Sequence, residues 1–201
     1  MGRLTLIRFI ALAVTLLSAI GVGSMIRQPS WDVCFVPGER RCTEDVVNAL
    51  DAAKMTVLVQ AYSFTSPEIA QALVKAHTRG IKVEVMLDKR QLILDKRRHK
   101  ERDSSADVLA HGGVSTWIDG CHEAAHNKVI IIDEEIVISG SFNFSRAAEE
   151  RNAENLLVIR DKALAARYLA NWQVHNKHVE PYAGGALNDQ ATCPRLSIAA
   201  L

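Results

Sequence analysis

What the sequence lacks is any large imbalance of charge. Across 201 residues, 24 lysines and arginines stand against 23 acids, a formal net charge of +1. A globally basic nucleic-acid binder is thereby excluded, and any affinity for phosphate must come from a local cluster. Only 11 glycines and 5 prolines are present, which excludes a collagen-like or low-complexity chain. No segment repeats at a fixed period, so no repeat array is expected. Cysteine is sparse, with four residues, and none has the CxxC spacing of a structural zinc site. What remains is an ordinary globular composition, 48% hydrophobic and 23% charged. One domain of this length can bury a core unaided.

One long apolar run stands at the N-terminus. Arg3 and Arg8 precede or flank it, Ile10 to Val22 forms its body, and small residues follow at Gly21, Gly23 and Ser24. That is the order of a secretory signal peptide, with cleavage expected after Ser24. The rival reading is an uncleaved anchor, since Leu4 to Met25 approaches the ~20 residues needed to span a bilayer. Both readings export the domain, to the periplasm or beyond, and the anchor would hold it at a membrane. The expected organisation is therefore residues 1–24 as signal or anchor, 25–180 as the folded domain and 181–201 as an irregular tail. Four cysteines in an exported chain suit disulfides. Cys34, Cys42, Cys121 and Cys193 allow three pairings. Cys34–Cys42 would close a short loop, and Cys121–Cys193 would tie the tail to the body.

After the N-terminal run the pattern alternates strand and helix. Strands are expected at Trp31–Val36, Thr56–Tyr62, Ile81–Leu87, Val114–Ile118, Lys128–Ile132, Ile136–Ser139 and Leu156–Ile159, all rich in β-branched or apolar residues. Thr43 reads as the N-cap of a helix carrying Val46, Val47 and Leu50. Ser66-Pro67 opens a second helix and Gly80 stops it. A short helix spans Ala106–His111, and Asp161 caps a last one through Trp172. Runs such as Lys128–Ile132 are apolar at every position, as strands buried on both faces are. The expected fold class is α/β, a mixed and mostly parallel sheet sandwiched between helices.

Lys89 to Asp103 breaks this pattern. It gathers Lys89, Arg90, Lys96, Arg97 and Arg98 just after a strand end, where α/β folds commonly build sites. A basic loop there suits contact with a phosphate backbone; the plainer alternative is a solvated charged surface.

The chemistry concentrates between residues 126 and 154. His126 and Lys128 are two apart at the mouth of a core strand and so project together. A hairpin return would bring Ser141 and Asn143 to the same end, with Gly140 permitting a tight backbone. Lysine and asparagine donors suit the non-bridging oxygens of a phosphodiester and tighten as its transition state gains charge. A neutral imidazole can act as nucleophile. Cys121, His122 and His126 offer a zinc reading that lacks a fourth ligand, so a disulfide is the expected role of Cys121. His77, His99, His111, His175 and His178 have no partner at a telling spacing and read as surface or helix-end residues.

The pattern His126-x-Lys128-x4-Asp133-x6-Gly140-Ser141 resembles the HKD signature of the phospholipase D superfamily. The text from Ala61 to Asp88 and from His126 to Asn155 is similar to the small bacterial secreted nucleases of that family. The resemblance covers about residues 43–175. It implies the phospholipase D/nuclease-like fold and a phosphohistidine intermediate on His126. Lys128 and Asn143 would bind the phosphate with help from Ser141, and Glu154 would hold the His126 ring. Asp133 defines the motif but sits in the expected hairpin turn, so a structural role is expected. No metal and no cofactor are implied, and activity in chelator is expected. Members with one HKD motif complete their site by forming a homodimer, in which the second His126 would be the general acid.

Three functions follow as alternatives. The first is an endonuclease acting on DNA or RNA. The second is a phospholipase D or cardiolipin hydrolase, favoured if an anchor holds the site near phospholipid. The third is a non-catalytic nucleic-acid-binding module, disfavoured because every matched position is intact.

Overall fold

The structure, a computed structural model, describes residues 28–38, 40–90 and 104–185. The N-terminal signal or anchor, Lys96, Arg97 and Arg98 of the basic loop, and the tail beyond residue 185 lie outside the described residues. No helix among the described residues is long and apolar enough to cross a membrane.

The chain runs β1 (Ser30–Val36), α1 (Cys42–Asp51), β2 (Thr56–Ala61), α2 (Pro67–Thr78), β3 (Lys82–Asp88), α3 (Ser105–His111) and β4 (Ser115–Asp119). It continues through β5 (Lys128–Ile132), β6 (Ile136–Gly140), α4 (Arg146–Glu150), β7 (Glu154–Arg160), α5 (Lys162–His175) and β8 (Glu180–Pro181). Among the described residues, eight strands join one sheet in the order β1-β7-β6-β5-β2-β3-β4-β8. Alternate residues of the apolar strands serve two cores. Ile130 and Ile132 of β5 pack with α1, α2 and α3, while Val129 and Ile131 pack with Trp172 and Ala165 of α5. This two-sided burial is why the run from Lys128 to Ile132 shows no polar alternation.

The α/β class with helices flanking a mixed sheet is as expected, but the sheet is mostly antiparallel rather than mostly parallel. Among the described strands, only β2 with β3 and β3 with β4 run parallel. These are the two connections that carry a crossover helix, α2 and α3, which a parallel return requires. The other five pairings are antiparallel. Helices also follow β6 and β7 in the second half, but there β6 and β7 pair antiparallel.

Caps and ties set the element ends. Ser66 accepts from the Ile69 amide with Pro67 in the first turn, and Ser104 and Asp107 form a reciprocal capping box on α3. Thr43 is not the cap of α1. That helix starts one residue earlier, and the Glu149 carboxylate accepts from the amides of Cys42 and Thr43 at 3.2 and 2.7 Å. A distant carboxylate thus takes the place of a local hydroxyl. Cys34 and Cys42 form a disulfide, which ties edge strand β1 to α1. Cys121 is not a free thiol, and Cys193 lies outside the described residues. At the other edge, β8 and the buried Tyr182 pack onto the body, so the chain is ordered past the point where the tail was expected to begin.

Candidate active site

The site forms where β5 begins, β6 ends and β7 begins. β5 lies antiparallel to β2, with Lys128 opposite Ala61, and the Tyr62 amide donates to the Asn127 carbonyl at 2.9 Å. Lys128 is therefore the first buried residue of its strand, while His126 stands exposed just outside it. Their side chains meet. The Lys128 ammonium lies 3.1 Å from Nδ1 and 3.3 Å from Nε2 of His126, and donates to the His126 carbonyl at 2.8 Å. An ammonium only donates, so the imidazole nitrogen facing it is an acceptor.

Tyr62 completes this group, a residue that reads in the sequence only as the end of an apolar strand. Its ring packs on the His126 ring at 4.3 Å between centroids, and the Lys128 ammonium sits 4.8 Å from its centroid, within cation–π range. Asp88 is a second residue missed in the sequence. Buried at the end of β3, it accepts from the Ala125 amide at 2.8 Å and so anchors the approach to His126. The available signal was a carboxylate closing a buried strand. Burial pushes the Lys128 ammonium below the ordinary lysine range, against the pull of the Glu154 and Asp88 carboxylates.

The β6–β7 side of the site hinges on Gly140. At φ 151°, its backbone lets the amides of Ser141 and Phe142 both donate to the Asn155 carbonyl at 3.1 Å. A Cβ there would lie 2.3 Å from that oxygen. Ser141 donates to Glu154 and accepts from the Asn155 amide at 3.1 Å. Glu154 also accepts from the Asn152 side chain at 2.9 Å. Its carboxylate is thus bound by Ser141 and Asn152 rather than by the His126 ring, which instead rests between Tyr62 and Lys128. Asn143 is half-buried, and its side-chain Oδ1 is buried without a partner. Turning that amide over would present its NH2 at the same place, a donor available to a phosphate oxygen.

Asp133 stands at the far end of the β5–β6 hairpin. Its carboxylate accepts from the amides of Lys54, Met55 and Thr56 at 2.9, 2.7 and 2.9 Å, and it and Glu134 hold φ of 53° and 54°. It locks the turn onto the start of β2 and does not reach His126. Lys89 and Arg90 follow β3 near the approach to His126, where Arg90 makes an exposed pair with Glu123 at 3.6 Å. Such a pair is worth little and leaves the guanidinium available. On the other flank, Arg40, Arg41 and Arg151 line an open cleft of about 420 Å³ that reaches Asn152.

Comparison with known proteins agrees with this arrangement. The family described as cardiolipin synthase, PLD-like domain, matches residues 46–174. A protein named phospholipase D from Rickettsia felis is 42% identical over 139 residues, 69% of this chain and 66% of its own length. The chain therefore spans just under two thirds of that relative. Among solved structures, the phospholipase D family member Nuc from Salmonella typhimurium superposes with a TM-score of 0.69 at 35% identity. The match covers 78% of this chain and all of that one. NucT from Helicobacter pylori shares the fold, with a TM-score of 0.67 at 24% identity over 77% of this chain and all of its own. With His126 and Lys128 of its HKD motif meeting at one end of such a sheet and a family match over residues 46–174, the chain belongs to the phospholipase D superfamily.

Proposed function

We propose that the chain is an exported endonuclease that cleaves DNA or RNA phosphodiesters through a covalent histidine intermediate, without a metal in the reaction. The observation that carries this reading is the meeting of the exposed His126 imidazole with the buried Lys128 ammonium at 3.1 Å, with the buried Oδ1 of Asn143 unpartnered just past the end of the neighbouring strand β6. In the first step a His126 ring nitrogen forms a bond to phosphorus as the bond from phosphorus to the leaving oxygen breaks. Lys128 and Asn143 hold the non-bridging oxygens and take up the developing charge. The leaving oxygen needs a proton, and the His126 of a second copy supplies it across a homodimer. That imidazole then takes a proton from water, the water oxygen bonds to phosphorus, and the phosphorus–nitrogen bond breaks to restore His126. Ser141 and Glu154 brace the β6–β7 corner that carries Asn143.

Basic residues on both flanks, Lys89 and Arg90 on one and Arg151 on the other, favour a long polyanion over a single headgroup. The Cys34–Cys42 disulfide supports an oxidising compartment, as the N-terminal apolar run does. The name of the Rickettsia relative favours a second reading, phospholipid hydrolysis at a membrane. The test compares wild type with His126→Ala on plasmid, single-stranded DNA, RNA and cardiolipin vesicles, with no divalent ion added. Nucleic-acid cleavage that falls at least ~10³-fold in the variant is expected. Cleavage of lipid alone would move the reading to a phospholipase, and binding without any cleavage would leave a non-catalytic module.

A further inference from the structure

A second cluster of chemistry-bearing side chains lies where β4 ends and α5 gives way to β8. Asp119 is the last residue of β4, His122 follows three residues later, His175 closes α5, and His178 stands between α5 and β8. β8 pairs with β4, Ile118 opposite Glu180, and this pairing folds His178 back over Asp119. One donor atom from each of the four residues lies within 4.8 Å of the other three. The side chains of Asp119 and His178 are 3% and 1% exposed, while His122 is 31% exposed and opens the cluster to solvent.

Asp119 is the centre of this convergence. Oδ2 of Asp119 lies 3.0 Å from Nδ1 of His122, 3.2 Å from Nδ1 of His175 and 3.3 Å from Nε2 of His178. Nδ1 of His122 is also 3.0 Å from Oδ1, so the two oxygens of one carboxylate gather all three imidazoles. The three rings surround this carboxylate with centroids 4.9, 5.1 and 5.3 Å apart. A tetrahedral centre with bonds of about 2.0–2.1 Å sets its donors roughly 3.4 Å apart, close to the 3.0, 3.2 and 3.3 Å between Asp119 and the three imidazoles, and all four donors lie within 4.8 Å of one another. Three imidazoles and one carboxylate suit zinc and its first-row neighbours, whereas magnesium and calcium take oxygen shells.

We propose that Asp119, His122, His175 and His178 form a structural transition-metal centre of the zinc class. Four protein ligands close the coordination sphere, so the centre is a brace and takes no part in the cleavage chemistry. What it braces is the segment from β4 to β5. His122 precedes His126 by four residues, and the same segment is held further along by the Ala125 amide on Asp88. A cavity of about 10 Å³ lined by Asp119, His175, Ala125 and Asn127 separates the cluster from the strand that carries Lys128. The metal would tie the base of the His126 loop to the end of α5.

The test uses the tag-free chain, purified without chelator. Elemental analysis should find about one zinc per chain. Exchange for Co2+ should give the visible bands of a four-coordinate ion. The stripped protein should gain several degrees in Tm on addition of Zn2+ and none on addition of Mg2+. His122→Ala, at the most exposed ligand, and His175→Gln should each bind zinc more than ~10-fold more weakly and lose the zinc-dependent gain in Tm. Circular dichroism checks that both variants fold. A wild-type chain that holds no transition metal and shows no zinc-dependent Tm shift would overturn the proposal. So would zinc retained undiminished in both folded variants.

Discussion

At Gly140 a single methyl group decides whether the site assembles. Its Cβ would fall 2.3 Å from the Asn155 carbonyl oxygen in a backbone at φ 151°, so Gly140→Ala should cost more than ~2 kcal/mol by denaturant unfolding. Lys128 sets stability and activity against each other. Its ammonium is depressed by burial, so between the folded and ordinary lysine values the unfolded chain binds more protons. Folding stability therefore rises with pH through that window. Cleavage runs the other way and should fall as pH climbs through the depressed value. Lys128→Arg should remove this alkaline limb at a lower absolute rate, because a guanidinium keeps its proton. Lys128→Met should abolish cleavage while raising stability by about 1 kcal/mol. Asp133 belongs to the fold. Asp133→Ala strips three amides of their acceptor and should lose about 2–4 kcal/mol. The kcat of the molecules that remain folded should stay within several-fold of wild type.

Element by element, the sequence was legible where one strand or helix explains its own pattern. The apolar runs at Thr56–Ala61 and Lys128–Ile132, the Ser66-Pro67 start and the Asp161 cap are local signals, and each marks the element seen. So was the approach of His126 to Lys128, because a period of two is a property of any strand. What could not be read depends on partners far away in the chain. Strand direction in the second half cannot be read from the alternation of elements, since β6 and β7 are joined through α4 and still pair antiparallel. Glu149 caps α1 from 106 and 107 residues away. Tyr62 joins the site only because β2 lies beside β5. His175 and His178 gain meaning only when β8 folds against β4, although the paired x2 spacings, Asp119 to His122 and His175 to His178, were there to notice. The Cys34–Cys42 tie is one of three pairings the cysteines allowed. Replacing both with alanine opens a short loop and should cost about 2–3 kcal/mol on the chain-entropy account, measurable as a fall in Tm.

Taken whole, the molecule carries one HKD motif of the phospholipase D superfamily, and the proposed mechanism needs two histidines. A homodimer answers that need. Sedimentation should give about twice the mass of the 22.1 kDa chain before any signal is removed. Specific activity should fall on dilution at the concentration where the dimer dissociates, and a monomer with undiminished specific activity would contradict the pairing. The most direct measurement follows the covalent step itself. The chain would be mixed with bis(p-nitrophenyl) phosphate, quenched within the first turnover and digested, and the peptide containing His126 weighed by mass spectrometry. The account predicts a burst of nitrophenolate and an arylphosphoryl group on His126, both lost in His126→Ala. Turnover with an unmodified His126, or turnover that survives the substitution, would contradict it.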